Sequence, residues 1–350
     1  ERFSMDEFLP SVVENEEHLE QLLSEPSEAA TETLRKIDGD ILLLGVGGKM
    51  GLSLAGMARR AADAVGRRRR VIGVSRFSDS AIERRLNDAG VETIRGDLLE
   101  QQFVKSLPDA ANVIYMTGTK FGTAQRPSAT WATNVLMPAV VCNRFHGSRM
   151  VAFSTGNVYP LVPLESGGSK ESDPCVPVGE YAMTALGRER IFEHFSEKLA
   201  IPISLIRLNY AVEMRYGVLV DIAQQVWHES EIDVSMGFVN IIWQGDACAM
   251  SLAALQDAES PPKIVNVCGP ELLSVRDVAE EFGQLMGRSV RCFGQEGETA
   301  LLSDGRSGYE RYGRPRVSLE RLMQWIVGWI RSGGRTLGKP THFQVRTGSF

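Results

Sequence analysis

The sequence predicts an α/β protein built on a doubly wound parallel sheet, with a smaller C-terminal region leaning on it. Short apolar runs alternate with amphipathic helical stretches: ILLLG at 41–45, VIGV at 71–74, VETI at 91–94, VIYM at 113–116, MVAF at 150–153 and ISLIRL at 203–208. That alternation marks βαβ units whose strands are covered on both faces. A glycine-rich turn, GVGGKMG, follows the first run directly. After Arg207 the regularity loosens. With 350 residues, 43% hydrophobic and 23% charged, the chain is long enough for one large or two modest domains.

Residues 1–37 are acidic and helix-rich, with apolar Phe8, Leu9, Val12, Val13, Leu19, Leu22 and Leu23. Pro26 after Ser24 marks the start of a second helix, so this stretch is expected to be a packed N-terminal extension. Residues 38–210 carry the strand–helix alternation and form the expected dinucleotide-binding domain. Residues 211–350 form an expected smaller second region, partly interleaved with the sheet. They contain the strand-like FVNII, KIVNV and GRSV–RCF stretches and end in an amphipathic helix, SLERLMQWIVGWI, before a polar tail with His342 and Arg346. The tail either covers the pocket or packs on the surface.

Gly45, Gly48 and Gly51 stand in GxxGxxG spacing, with Lys49 and Met50 between the last two. Glycines there let the backbone turn sharply and approach a pyrophosphate, which rests against the N-terminus of the following helix. The second strand ends in Ser75 and Arg76, where NAD sites usually place a carboxylate and NADP sites an arginine. With Lys49 nearby, this favours NADP over NAD, against a surface role for Arg76. Asp97, in GDLLE after the third strand, holds either the adenine amino group or the start of the next helix.

A formal charge of −6 gives no general attraction to nucleic acid or to an anionic membrane, and no apolar run is long enough to span a bilayer. The run Arg67–Arg70 is expected to be a solvated turn. Five cysteines without a CxxC pair argue against a disulfide frame or a zinc site, and His146, His194 and His228 show no metal spacing. With no signal peptide visible, the cytosol is the default compartment. Because the chain opens on Glu1, a trimmed leader stays open.

Taken in order, GVGGKMG, GDL, the TNV containing Asn134, FSTGNVY, the helix EYAMTALGRER, IRLN and VNIIWQGDACAMSLAAL resemble the extended short-chain dehydrogenase/reductases of the NAD-dependent epimerase/dehydratase group. The resemblance covers about residues 40–330. It implies a Rossmann domain with bound NAD or NADP, a C-terminal substrate region, and a homodimer formed by helices near 128–146 and 181–199. It makes Tyr181 the residue that donates or accepts a proton as hydride moves, and Thr155, beside Ser154, the hydroxyl next to the reacting carbon. It also implies a lysine one helical turn after the tyrosine. Position 185 is alanine.

A free phenol titrates near about 10 and needs a nearby cation to act at neutral pH. One reading is that catalysis is lost and the protein is an NADP sensor. A second brings Arg188 back two turns, about 10 Å, although a surface or interface arginine is the plainer expectation. The third uses the loop after the fourth strand, where Thr117, Gly118 and Lys120 are similar to the TGxKHY segment of the progesterone 5-beta-reductase and iridoid synthase group; Phe121 and Gly122 depart from it. There Lys120 is either the partner of Tyr181 or a solvent-facing loop lysine. On the substrate side Asn209 and Arg215 are candidates, with a surface role for Arg215 equally open. Asp246 resembles the group's structural aspartate and is expected to start its helix. The expected activity is reversible hydride transfer on a secondary alcohol or ketone of a sugar or nucleotide sugar, by an epimerase/dehydratase or by an NADPH-dependent reductase using the loop lysine.

Overall fold

Seven parallel strands form the centre of the molecule: β1 (Ile41–Leu44), β2 (Val71–Ser75), β3 (Glu92–Arg95), β4 (Asn112–Tyr115), β5 (Arg149–Thr155), β6 (Ile203–Leu208) and β7 (Lys263–Val267). The computed structural model describes residues 9–120, 122–123 and 125–348, so Phe8 and Phe121 lie outside the described residues. The strand order is β7-β6-β5-β4-β1-β2-β3. The chain winds outward from β1 to β3, then returns to β4 and winds the other way. The loops after β1 and β4 therefore diverge and leave a crevice at the carboxyl edge.

Alternate residues of one strand feed opposite cores. Ile41 and Leu43 pack with α2 (Glu28–Lys36), α3 (Gly51–Ala64) and α10 (Gln244–Ala253) on one face. Leu42 and Leu44 pack on the other, with α7 (Met137–Arg144) and α8 (Gly179–Leu199). A third core holds α9 (Val218–Trp227), α11 (Val275–Met286) and α13 (Leu319–Arg331) together. Leu19 and Leu23 of α1 (Glu16–Leu23) enter this third core, while Ala30 and Leu34 of α2 enter the first. No described helix is long and apolar enough to cross a membrane.

Several expectations are corrected here. The second helix starts after Ser27, whose hydroxyl accepts from Ala30 N, and Pro26 precedes the cap; Ser24 instead ends α1. KIVNV is the seventh strand of the central sheet, paired along β6. FVNII is not one strand: Phe238–Val239 and Ile242–Trp243 pair with different partners, because Asn240 between them is buried and spends its amide on Gly269 O, Ser303 O and Asn209. In the arginine run, Arg67 and Arg70 pair with Asp38 and Glu92, but Arg69 is buried and donates to the Leu34 and Ile37 carbonyls at the end of α2. A guanidinium there satisfies helix-end carbonyls that water cannot reach.

Candidate active site

The glycine loop leaves β1 with Gly45 at φ +101°, a left-handed conformation, and an added Cβ would lie 2.6 Å from Thr117 Oγ1. At Gly47 a Cβ would lie 2.5 Å from Ser75 Oγ, and at Gly51 it would strike the Val46 carbonyl. The loop is thus bare of side chains where it meets β2 and β4, and α3 begins directly after Met50. Such a cradle fits a pyrophosphate held by backbone N–H groups.

Two cavities meet over this loop and share Gly45, Gly48, Met116 and Gly118. The first, about 250 Å³, is lined by Ser75, Arg76, Asp79, Asp97 and Thr117. Arg76 is exposed, and its Nη1 lies 3.9 Å from the Asp97 carboxylate. Asp97 Oδ1 accepts from Leu99 N at 2.9 Å, so it shapes the turn while facing the cavity; the cap residue of the next helix is Glu100.

The second cavity, about 300 Å³, is lined by Lys49, Met50, Lys120, Ser154, Thr155, Asn157, Tyr181, Asn209, Tyr210, Tyr216 and Thr341, among others. Lys120 Nζ lies 6.0 Å from the Tyr181 ring centroid. Burial lowers the Lys120 ammonium to about 8, against the pull of Asp221. Thr155 donates to Asn157 Oδ1 at 3.0 Å and accepts from Asn157 N at 3.2 Å. Ser154 donates to Glu189 Oε1 at 2.5 Å, and Glu189 is fully buried against Arg207, with 2.7 Å between Oε2 and Nη2.

The structure moves three candidates. Lys49 does not line the first cavity. Its Nζ donates to Ala211 O at 2.9 Å and lies 4.3 Å from the Tyr216 ring centroid, so it faces the second cavity. Burial lowers its ammonium to about 8, with Glu213 opposing. Arg215, expected on the substrate side, is buried among Glu213, Glu20 and Glu16 and lines neither cavity. Arg188 is not on the surface either; it is 5% exposed and donates to Phe153 O and Asn134 Oδ1, both at 2.9 Å.

Asn209 lines the second cavity, with its amide donating to Asn240 at 2.9 Å. Asp246 is structural without capping its own helix: it accepts from Arg316 Nε at 2.7 Å and from the Arg316 and Val317 amides. Ala185 is buried against Val158 and Tyr159, which leaves that face of α8 apolar. The tail folds back: Thr341 donates its N–H and hydroxyl to Asp221, and Gly348 lies against Val178 and Gly179 at the start of α8.

Residues 41–212 match the model of the NAD-dependent epimerase/dehydratase family. That segment is a domain of the family. The matched segment runs from β1 through the glycine loop, the loop carrying Lys120, and Tyr181 to Asn209. No curated protein matches the sequence significantly. Among solved structures, the chain is similar to the dTDP-glucose 4,6-dehydratase DesIV of Streptomyces venezuelae, solved with NAD and TYD, at 18% identity and a TM-score of 0.71, covering 84% of this chain and 97% of that one. It is similar to UDP-glucuronic acid 4-epimerase of Bacillus cereus, at 18% identity and a TM-score of 0.69, covering 84% and 99%. UDP-glucose 4-epimerase of Thermotoga maritima gives 16%, 0.69, 84% and 99%. These likenesses establish the fold alone, over most of the chain.

Sequence reasoning missed Tyr210, Tyr216 and Thr341 as cavity walls. Tyr210 adopts a left-handed φ of 42°, unusual for a tyrosine, at the end of the Asn209 segment. Its place after IRLN was the available signal; nothing local pointed to Thr341, which arrives from the tail.

Proposed function

We propose that this chain is a nicotinamide-dependent oxidoreductase of epimerase/dehydratase type, acting on a secondary alcohol or ketone of a sugar or nucleotide sugar. The observation that carries the reading is the loop ammonium of Lys120 beside the Tyr181 ring, in one cavity with Thr155 and the glycine loop. A bound nicotinamide would give hydride to the reacting carbon or take it away. Tyr181 would exchange the proton of the reacting oxygen, and Thr155 would turn its hydroxyl from Asn157 to that oxygen. Lys120 would face the negative charge that develops on the reacting oxygen as the proton moves. Lys49 places a second positive charge beside the glycine loop, suited to phosphate. Residues 211–350, apart from β7 and α10, are taken as the substrate side. A homodimer would use the exposed apolar Trp131, Leu136 and Met183 near the two helices named above.

NADP is the favoured nucleotide, now on Arg76 alone, since Lys49 lies elsewhere. Arg76→Ala is expected to weaken NADPH binding by roughly fivefold to tenfold, about 1 kcal/mol for an exposed charge contact, and to leave NADH binding unchanged. Fluorescence titration of both nucleotides checks this; equal losses for the two would place Arg76 away from the 2′-phosphate.

The experiment that tests the function is a screen of UDP- and dTDP-sugars and their keto derivatives, monitored at the nicotinamide absorbance and by product analysis. An epimerase or dehydratase is expected to retain stoichiometric nucleotide through purification, a reductase to exchange it. Nucleotide binding without hydride exchange for any sugar would favour the sensor reading, which the apolar packing of Ala185 supports.

A further inference from the structure

We propose that Arg188 and Asn134 are positioning residues that hold the Lys120 loop against Tyr181, supplying mechanically what a lysine at position 185 would supply directly. The inference rests on the function proposed above.

Asn134 lies in a π-helical turn, Ala132–Leu136, between α6 (Pro127–Trp131) and α7. Such turns re-aim a side chain and recur at functional sites. The Asn134 side chain is fully buried and all its hydrogen bonds converge on the loop and α8. Its Oδ1 accepts from Thr119 N and Arg188 Nη2, both at 2.9 Å; its Nδ2 donates to Thr119 O at 3.0 Å and to Thr184 Oγ1 at 2.9 Å. The residue before Lys120 is thus held at both of its backbone polar groups. Turning the amide over would set its NH2 against the guanidinium and against Thr119 N–H, so Arg188 dictates the orientation that clamps the loop.

Arg188 is on the same helix as Tyr181, and its other terminal nitrogen holds Phe153 O, next to Ser154 and Thr155 on β5. One planar fork therefore ties together the tyrosine helix, the hydroxyl strand and, through Asn134, the amine loop. Gly118 completes the fit: any Cβ there would collide with Arg188 Nη2.

The test is a substrate-free, nucleotide-free NMR titration of Lys120 after ¹³C-methylation of lysines, with the signal assigned by its loss in Lys120→Arg. Around this amine stand Asp221 from α9, Lys49 from the glycine loop and the Tyr181 ring from α8, none of which Arg188→Met alters. Lys120 is expected to titrate near 8 in the unaltered protein. In folded Arg188→Met its midpoint should rise by about one unit or more as the loop opens to water, and Thr119 amide exchange should quicken roughly tenfold, more than the amides of β5 and α8. An unchanged Lys120 titration would overturn the proposal, because a purely structural arginine lowers global stability without moving that amine. Should Arg188→Met fail to fold, Arg188→Lys, which cannot span both acceptors at once, carries the same two readouts with the same deciding result. Since no turnover is measured, an incorrect substrate class would leave this result intact.

Discussion

Tyr181→Phe is expected to lower turnover by roughly 10²–10⁴, the range for removing a positioned proton donor, while nucleotide affinity stays within about twofold and the fold persists. The change deletes one oxygen at a half-buried position and keeps the ring that faces Lys120. Two other phenols line the same cavity, and they sharpen the expectation. Burial pushes both Tyr210 and Tyr216 up, with Tyr216 raised further by Asp221, so both stay protonated and are poorly suited to take a proton. Tyr216→Phe should accordingly leave turnover within a few fold. Comparable losses in the two variants, measured as single-turnover hydride transfer, would remove Tyr181 from its assigned role.

Arg207→Met should destabilise the protein by about 3–5 kcal/mol, because it leaves a carboxylate buried without its counter-charge. Arg207 and Glu189 are 2% and 0% exposed, and the guanidinium also donates to Tyr159 OH at 2.7 Å. The pair lies beneath the site: Glu189 accepts from Ser154, next to Thr155, so loss of the cation should loosen the end of β5 as well. The double variant Arg207→Met/Glu189→Met removes both charges and should recover much of the loss. Urea unfolding midpoints decide it. A single variant within about 1 kcal/mol of the parent would mean that water reaches Glu189.

The inner strands of the sheet were legible because both faces are buried, so each reads as an apolar run, whereas the edge strand β3, exposed at both ends, was legible only from its place in the alternation. KIVNV has the same character as the other runs, yet its place beside β6 depends on a connection of more than fifty residues that no local pattern encodes. The glycine loop, Thr155 and Tyr181 were legible as a spaced set, and the missing helical lysine was plain at position 185. The partners of the charged side chains were not legible. Arg215 looked available for an anion until Glu20, 195 positions away, took its guanidinium at 2.7 Å. Lys49 sits at a helix start, where spacing fixes the backbone but not the side-chain direction, and the Ala211 carbonyl that captures it comes from across the cavity. Arg188 was expected at the surface or an interface because reaching Tyr181 would make its guanidinium fold back two turns; its acceptors are instead a strand carbonyl and an amide turned inward by a π-helical turn.

Burying two amines has an energetic signature that separates chemistry from stability. Lys49 and Lys120 are each lowered to about 8, so the native protein sheds those protons before the unfolded chain, whose amines titrate near about 10.4. Between those values the unfolded state binds more protons, and the contribution of these groups to unfolding free energy rises with pH. Their deprotonation therefore does not unfold the protein above pH 8, and a loss of rate there reports on charge in the cavity.

The most direct measurement is the pH dependence of single-turnover hydride transfer, with a sugar substrate from the screen, in the parent protein, Lys120→Arg and Lys120→Met. The parent rate is expected to fall as pH rises through about 8, where Lys120 loses its charge. Lys120→Arg should hold its rate past that point, and Lys120→Met should be slower by roughly tenfold to a hundredfold at neutral pH, with no break near 8. Three superimposable profiles at full rate would contradict the claim that a loop amine serves Tyr181 in place of the helical one.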